Sequence, residues 1–345
     1  MTDPAGPAHP PSHSHRPRAI IIGSGVYGAS LAYTLASLPS SSSSSSTSPW
    51  SITILDRSRT GYAAPDAASY DLNKIIRSDY SDANFRALGK EAIRLWRDPE
   101  SIWSAFYHET GVLFRSGYVS AGEESCASVK DREYVQAGIK GALEAEEGED
   151  DNNPHLSSKA YHLTSPSEAF TVFPSACREL LGPGIITIGD EIGGQVKQDA
   201  YINPRGGWAD AADATHKTLE EARRLLAAEN LQILGDSLVT ELLFAESDAH
   251  AKDDKRRVIG VRTASGKSYT LTPEEQADGQ SCVVLCTGSW TRDLLDKVLP
   301  QSEEQERRQG KLPMTPSAQC VVTVKLPSEM ARRYRGTPVS LNFNK

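Results

Sequence analysis

Residues 19–56 run "AIIIGSGVYGASLAYTLASLPSSSSSSSTSPWSITILD" and carry the pattern of a strand, a glycine turn, a helix and a second strand. From Arg18, "RAIIIG" is a short apolar, β-branched run of the kind buried in a parallel sheet. Ala29 to Leu38 reads as a helix and "SITILD" as a second strand. Between strand and helix, Gly23, Gly25 and Gly28 form G-x-G-x-x-G, with Ser24, Val26 and Tyr27 in its variable places. The first glycine permits a tight turn and the second lets backbone N–H groups approach a pyrophosphate at the positive helix end. The third allows close helix-to-strand packing. Asp56 ends the second strand, where its carboxylate is placed to accept hydrogen bonds from a ribose diol. It lies beyond the usual spacing of about 20 residues. Removing the serine run Ser40 to Ser46, bracketed by Pro39 and Pro49, restores that spacing, and the run reads as a solvated loop without chemistry. Arg57 and Arg59 are placed for a 2′-phosphate, as in NADP, but the acid at the strand end would repel one. NAD and FAD use the same turn, so this stretch leaves the cofactor open.

The chain has 345 residues and a net charge of -8, which fits a soluble globular chain of two domains or one large one. Dispersed Lys and Arg argue against nucleic acid or an anionic membrane as a partner, since both need a clustered basic face. The five cysteines, Cys126, Cys177, Cys282, Cys286 and Cys320, are odd in number and irregularly spaced, which points to a reducing compartment. "SCVVLCTG" alternates like a strand, so Cys282 and Cys286 read as two core thiols on one face, and no metal site is expected. The N-terminal tail, residues 1–17, is Pro/His/Ser-rich and reads as disordered, without the apolar core of a signal peptide. No apolar run is long enough to span a bilayer, so an intracellular protein is expected.

Further along, "DANFRALGKEAIRLWRD" places Phe85, Leu88, Ala92, Leu95 and Trp96 at helical spacing, which predicts one buried face. From Thr110 to Ile202 short strands such as "GVLFRSG" and "GIITIGD" are separated by the acidic stretch "EAEEGEDDNN", read as a solvated loop rather than a calcium site. A helix is expected from near Trp208 to Asn230, then a strand meander through "LVTELLF", "RVIGVRT" and "KSYTLT", and a buried strand "SCVVLCTGSW" ending at a Thr-Gly turn. Nucleotide-type elements at both ends with strand-rich material between them predict one nucleotide domain interrupted by a second.

After Asp56 the chain continues "RSRTGYAAPDAASYDLNKIIRSDYSD". Together with "FYHETGVLF", "GGWADA" and "LCTGSWT", this resembles the D-amino-acid-oxidase-like flavoproteins, nearest in look to the fungal sarcosine, L-pipecolate, saccharopine and fructosyl-amine oxidases. The resemblance spans roughly Arg18 to Lys345, and "DLNKIIRSDYSD" is its most specific piece. It implies FAD, and an α/β fold with a Rossmann-like, glutathione-reductase-type FAD-binding domain (18–85 and 205–300). An α+β substrate domain on a mixed sheet (86–204 and 301–345) is interleaved with it. It also implies oxidation of a C–N bond in an amino-acid-like secondary amine with molecular oxygen, by a monomer in the cytoplasm or peroxisome. Lys74 matches a basic residue beside the flavin ring, and Arg77 matches a ligand of the substrate carboxylate. The chemistry is coherent: a cation stabilises negative charge on a reduced flavin, and a guanidinium fork grips a carboxylate in two bonds. Ser69, Tyr70 and Asn73 are implied as flavin contacts, Val239 as a backbone partner on the adenine side, and Thr287, Gly288 and Trp290 as residues closing over the dinucleotide. The family continues past "RRYRGTPVSLNFNK", so the reading expects a chain truncated at the C-terminus. Cys320 and Lys345 match neither the cysteine that tethers FAD in some relatives nor the lysine that activates oxygen. An NAD(P)-dependent dehydrogenase and a catalytically inactive flavin-binding fragment are the alternatives.

Overall fold

Alternation along the first strand sets the architecture, because Ala19 and Ile21 bury on one side of a sheet while Ile20 and Ile22 bury on the other. The computed structural model describes residues 16–39, 50–117, 137–142, 160–163, 166–181, 198–245, 257–298 and 321–342. The expectations for residues 1–15, the serine run, "EAEEGEDDNN", "GIITIGD", Cys126, Cys320 and Lys345 lie outside them. The chain divides into two compact units, Met1–Asp71 with Thr215–Gln319, and Leu72–Ala214 with Cys320–Lys345.

In the first unit a parallel sheet runs in the order Cys282–Leu285, Arg18–Ile22, Ser51–Leu55, Leu231–Leu234. Both faces of its central strands are covered, which is why "AIII" is apolar at every position rather than every second one. One face packs on Ala29, Ala32 and Ala36 of the Val26–Ser37 helix and on Leu219 and Ala222 of the Ala211–Leu225 helix. The small alanine edge lets the first helix sit close to the sheet. The other face packs on Val239, Val261 and Leu271 from an antiparallel sheet of Val239–Phe244, Val258–Thr263 and Ser268–Thr270. Each fully buried isoleucine in this sandwich contributes about 2 kcal/mol of transfer free energy.

Several expectations shift here. The first helix begins at Val26 rather than Ala29, since Gly25 is its N-cap and the exposed Val26 and Tyr27 break the apolar stripe. The helix expected from Trp208 runs Ala211–Leu225, and Trp208 instead sits in the strand Gly207–Ala209. A short helix, Pro273–Ala277, interrupts the meander under a Thr272/Glu275 capping box. Of the two expected core thiols, Cys282 is exposed, because among the described residues its strand is paired on one side only and turns Val283 and Leu285 to the core. Cys286, just past the strand, is half-buried and packs on the core face of Ala19 and Ile21.

The second unit holds a mixed sheet in the order Val339–Asn342, Val112–Gly117, Gln198–Asn203, Tyr161–Leu163, with the first pair parallel and the others antiparallel. A smaller antiparallel sheet joins Lys74–Ile76, Gly207–Ala209 and Tyr107–His108. Because Lys74–Ile76 pairs with Gly207–Ala209, the chain enters this unit at 71/72 and not after residue 85. The helix Ala83–Arg97 is capped by Asp82, whose side chain accepts from the N–H groups of Asn84 and Phe85. Its buried edge is Gly89 and Ile93, while Phe85 and Leu88 are 60% and 65% exposed, contrary to the predicted stripe. Gly89 sets that roll: a Cβ there would stand 2.8 Å from the Arg77 carbonyl oxygen, so the helix packs on the 77–78 backbone through its glycine.

Candidate functional site: a cleft at the glycine turn

The glycine turn closes on two neighbouring strand ends. The Gly23 N–H donates to the Leu55 carbonyl at 2.8 Å, and the Cys286 N–H donates to the Ile22 carbonyl at 2.8 Å. Gly23 has φ +97°, and a Cβ there would stand 2.5 Å from the Cys286 carbonyl oxygen, so only glycine fits. A Cβ on Gly28 would run into the Gly23 carbonyl, the close helix-to-turn packing that the third glycine was expected to allow. The helix that follows has no side-chain cap and no acidic residue in its first turn. Its leading N–H groups therefore keep their affinity for an anion.

Asp56 is buried and organises this turn. Its Oδ2 accepts from the Ser24 N–H at 2.8 Å and the Ser24 hydroxyl at 2.9 Å, and its Oδ1 accepts from the Ser58 N–H at 2.8 Å. An ionised carboxylate has about four acceptor sites. Asp56 thus ties both edges of the turn together before any ligand is considered.

These residues line a cleft of about 270 Å³ within the first unit. Gly23, Gly25, Val26, Tyr27, Asp56 and Arg57 form one side. Ser69, Val239, Thr287, Gly288 and Trp290 complete it, together with Ser237 and Leu238. The wall is mostly apolar, and Tyr27 and Leu238 are 75% and 49% exposed in it. Arg57 lies over the Trp290 ring, 4.2 Å from its centroid, and pairs with Asp66. Held on an acid and a ring, it is not arranged as a free 2′-phosphate ligand. The Thr287 and Thr291 hydroxyls bond each other at 2.9 Å, and Thr291 donates to the Gly288 carbonyl at 2.8 Å, fixing the Gly288–Trp290 turn. Val239 is a buried strand start. Ser24 and Gly28 support the turn from behind, and Tyr70 is exposed at the end of the Ala68–Tyr70 turn without lining the cleft.

Asn73, Lys74 and Arg77 belong to the second unit. Lys74 is exposed and starts the Lys74–Ile76 strand, opposite Ala209. Arg77 is half-buried, with its guanidinium 4.3 Å from the Tyr80 ring centroid and 5.4 Å from that of Phe114. Its Nη1 donates to the Asp79 carbonyl at 2.6 Å. Three contacts lie outside the sequence expectations: the Asp66 partner of Arg57, the Asp79–Asn203 pair, and a His108–Asp210 pair at 2.9 Å with His108 stacked on Trp208. Asp79 sits inside "RSDYSD", so its position was signalled there although its burial was not.

A parallel sheet with a glycine-rich turn, an uncapped helix start and a carboxylate at the second strand end defines a dinucleotide-binding α/β unit. The chain belongs to the family described as "DAO: FAD dependent oxidoreductase", whose pattern it matches over residues 18–344, and its cofactor is FAD, not NAD(P). It is similar to the amino acid oxidase imqH of Aspergillus flavus, 25% identical over 295 residues, which span 80% of this chain and 52% of that protein. It is also similar to the amino acid oxidase fsqB of Aspergillus fumigatus, 26% identical, spanning 73% of this chain and 46% of that protein. The chain thus spans about half the length of these relatives. In fold it resembles a thermally stable fructosyl peptide oxidase, with TM-score 0.60 and 20% identity, over 94% of this chain and 59% of that one. Amadoriase II of Aspergillus fumigatus superposes with TM-score 0.54 and 20% identity, over 95% of this chain and 57% of that one.

Among the described residues no helix is long and apolar enough to cross a membrane, and no group of three His, Cys, Asp or Glu side chains is placed to hold a metal ion.

Proposed function

We propose that this chain is part of an FAD-dependent oxidase of an amino-acid-like secondary amine, in the class of sarcosine, pipecolate, saccharopine and fructosyl amino acids. A bound FAD would supply a two-electron acceptor, so that the amine, losing a hydride from the carbon beside nitrogen and a proton from nitrogen, becomes an imine while oxygen takes up the two electrons and two protons as hydrogen peroxide. The residues fit such a group. The cleft has a glycine floor at Gly23 and Gly25, an uncapped helix start for a pyrophosphate, and an apolar wall. The backbone of Gly23 to Gly28 would hold the pyrophosphate, and Asp56 would offer its remaining acceptor site to one ribose hydroxyl. Val239 would serve the adenine side through its backbone, Thr287, Gly288 and Trp290 would close over the dinucleotide, and Ser69, Tyr70 and Asn73 are the proposed flavin contacts.

In this reading Lys74 stabilises negative charge that develops on the ring, and Arg77 orients the substrate carboxylate so that the C–H bond to be broken is held in place. The observation that carries the proposal is the uncapped glycine turn lining the cleft of a chain whose family is FAD dependent. The test is peroxide release by the FAD-loaded protein with sarcosine, L-pipecolate, saccharopine and fructosyl-glycine, alongside loss of flavin absorbance without oxygen. Turnover of one of them supports the reading. A flavin that none of the four bleaches contradicts it and leaves cofactor binding as the activity.

A further inference from the structure

In the second unit, Asp79 is 1% exposed, a carboxylate inside a protein core. Its Oδ1 accepts from the Asn203 side-chain amide at 2.9 Å; among the described residues its Oδ2 has no partner at full hydrogen-bond distance, although the Tyr201 hydroxyl is near enough to act on the carboxyl. A carboxyl group sequestered like this costs stability. What it does hold is the turn that carries Arg77.

That turn is fixed from several directions. The Asp79 carbonyl accepts from Arg77 Nη1 at 2.6 Å, so the place of this carbonyl sets the orientation of the guanidinium fork. The Tyr80 N–H donates to the Ser78 carbonyl at 2.9 Å, and Arg86 Nη1 donates to the carbonyls of Tyr80 at 2.8 Å and Ser81 at 2.7 Å. From below, Gly89 lets a helix press on the Arg77 and Ser78 backbone. Asn203 ends the Gln198–Asn203 strand and also accepts the Arg205 N–H at 3.1 Å, so it ties Asp79 to a rigid sheet end. The Phe114 and Tyr201 rings stack at 4.6 Å beside it, and Phe114 also faces the Arg77 guanidinium. Sheet, aromatic pair and turn thus meet at one side chain.

We infer that Asp79, anchored by Asn203, is a positioning residue that aims Arg77 at the substrate carboxylate; this rests on the role given to Arg77 under the proposed function. Asp79 touches no reacting atom. It acts through the carbonyl it presents to Arg77, because anchoring the side chain fixes the peptide that follows. Fork-to-fork recognition of a carboxylate needs such fixing, since a bidentate pair loses its advantage when the guanidinium can rotate. The same chemistry makes the effect selective for ligands that bear a carboxylate.

The test is calorimetric binding of L-pipecolate and of piperidine, its carboxylate-free counterpart, to the FAD-loaded full chain. Asp79→Ala, Arg77→Ala and the double variant form a cycle. Asp79→Ala is expected to weaken pipecolate about tenfold, the loss of roughly one charge-assisted bond, and to leave piperidine unchanged. In the Arg77→Ala background it should add nothing. Asp79→Asn keeps an acceptor for Asn203 and should stay within about threefold of the parent. If Asp79→Ala does not fold, Asn203→Ala takes its place in the same cycle with the same expected outcome. Equal weakening of both ligands, or an undiminished effect in the Arg77→Ala background, overturns the inference while leaving Arg77 intact as the carboxylate ligand. If Arg77→Ala itself leaves pipecolate binding unchanged, the role of Arg77 fails and the inference fails with it.

Discussion

Replacing Asp56 by alanine tests the glycine turn most sharply, because it removes one acceptor set and leaves the backbone sequence of the motif intact. The carboxylate accepts from the Ser24 N–H, the Ser24 hydroxyl and the Ser58 N–H at 2.8, 2.9 and 2.8 Å. Ser24 is fully buried, so water cannot replace the lost acceptor for its two donors without opening the turn. At about 2 kcal/mol for each buried donor bonded to a charged acceptor, the loss is about 4 kcal/mol, with Ser58 adding less because it is only half-buried. Asp56→Asn retains one carbonyl oxygen and should lose about half as much, and Ser24→Ala about 1–2 kcal/mol. Urea unfolding of the FAD-free protein, followed by tryptophan fluorescence, reads these differences without any contribution from cofactor. An Asp56→Ala stability within about 0.5 kcal/mol of the parent would show that the carboxylate is not what holds the turn.

Other outcomes follow from the same geometry. Gly23→Ala forces a side chain to φ +97° and against the Cys286 carbonyl at 2.5 Å, so thermal unfolding should show a loss of at least about 3 kcal/mol or no folded protein at all. Arg57→Ala removes the cation over Trp290 and should raise the FAD dissociation constant about fivefold, measured by flavin fluorescence quenching, with little change in FAD-free stability. Burial raises the Asp79 carboxyl above its ordinary value of 3.8, against the opposing pull of the Asn203 amide, the Arg77 charge and the Tyr201 hydroxyl. The folded chain therefore keeps a proton that the unfolded chain releases. Its contribution is full below the unfolded value and declines as pH rises through the folded one. Urea midpoints of the parent should fall across that window relative to those of Asp79→Asn, and parallel curves would rule the effect out.

The first half of the fold was legible because a parallel strand and a glycine turn leave signals in neighbouring residues. "AIII" buries on both sides, and Gly23 and Gly28 sit where any Cβ would collide. The Ala83–Arg97 helix was legible as a helix but not in its orientation. Its hydrophobic periodicity names a stripe through Phe85 and Leu88, whereas the close approach of backbone to Gly89 decides which edge is buried. Trp208 was drawn into a helix by the strong pattern after it, although strand pairing with Ile75 and His108 places it in a sheet. The role of Asp56 was only half visible: a carboxylate at a strand end predicts a ribose partner, but its hold on Ser24 depends on a contact across 32 positions of sequence. The Asp79–Asn203 pair spans 124 positions and has no local signature.

The proposed FAD site is the cleft of the first unit, with the glycine turn as its floor. Equilibrium dialysis of the purified chain against FAD and, separately, NADH tests it directly, with Gly25→Val as the comparison because a valine at this cleft-lining position fills space at the helix start. The expected result is one FAD retained per chain, no NADH retained, and loss of FAD from a Gly25→Val chain that still unfolds cooperatively in urea. FAD bound equally well by Gly25→Val, or NADH retained in its place, would contradict it.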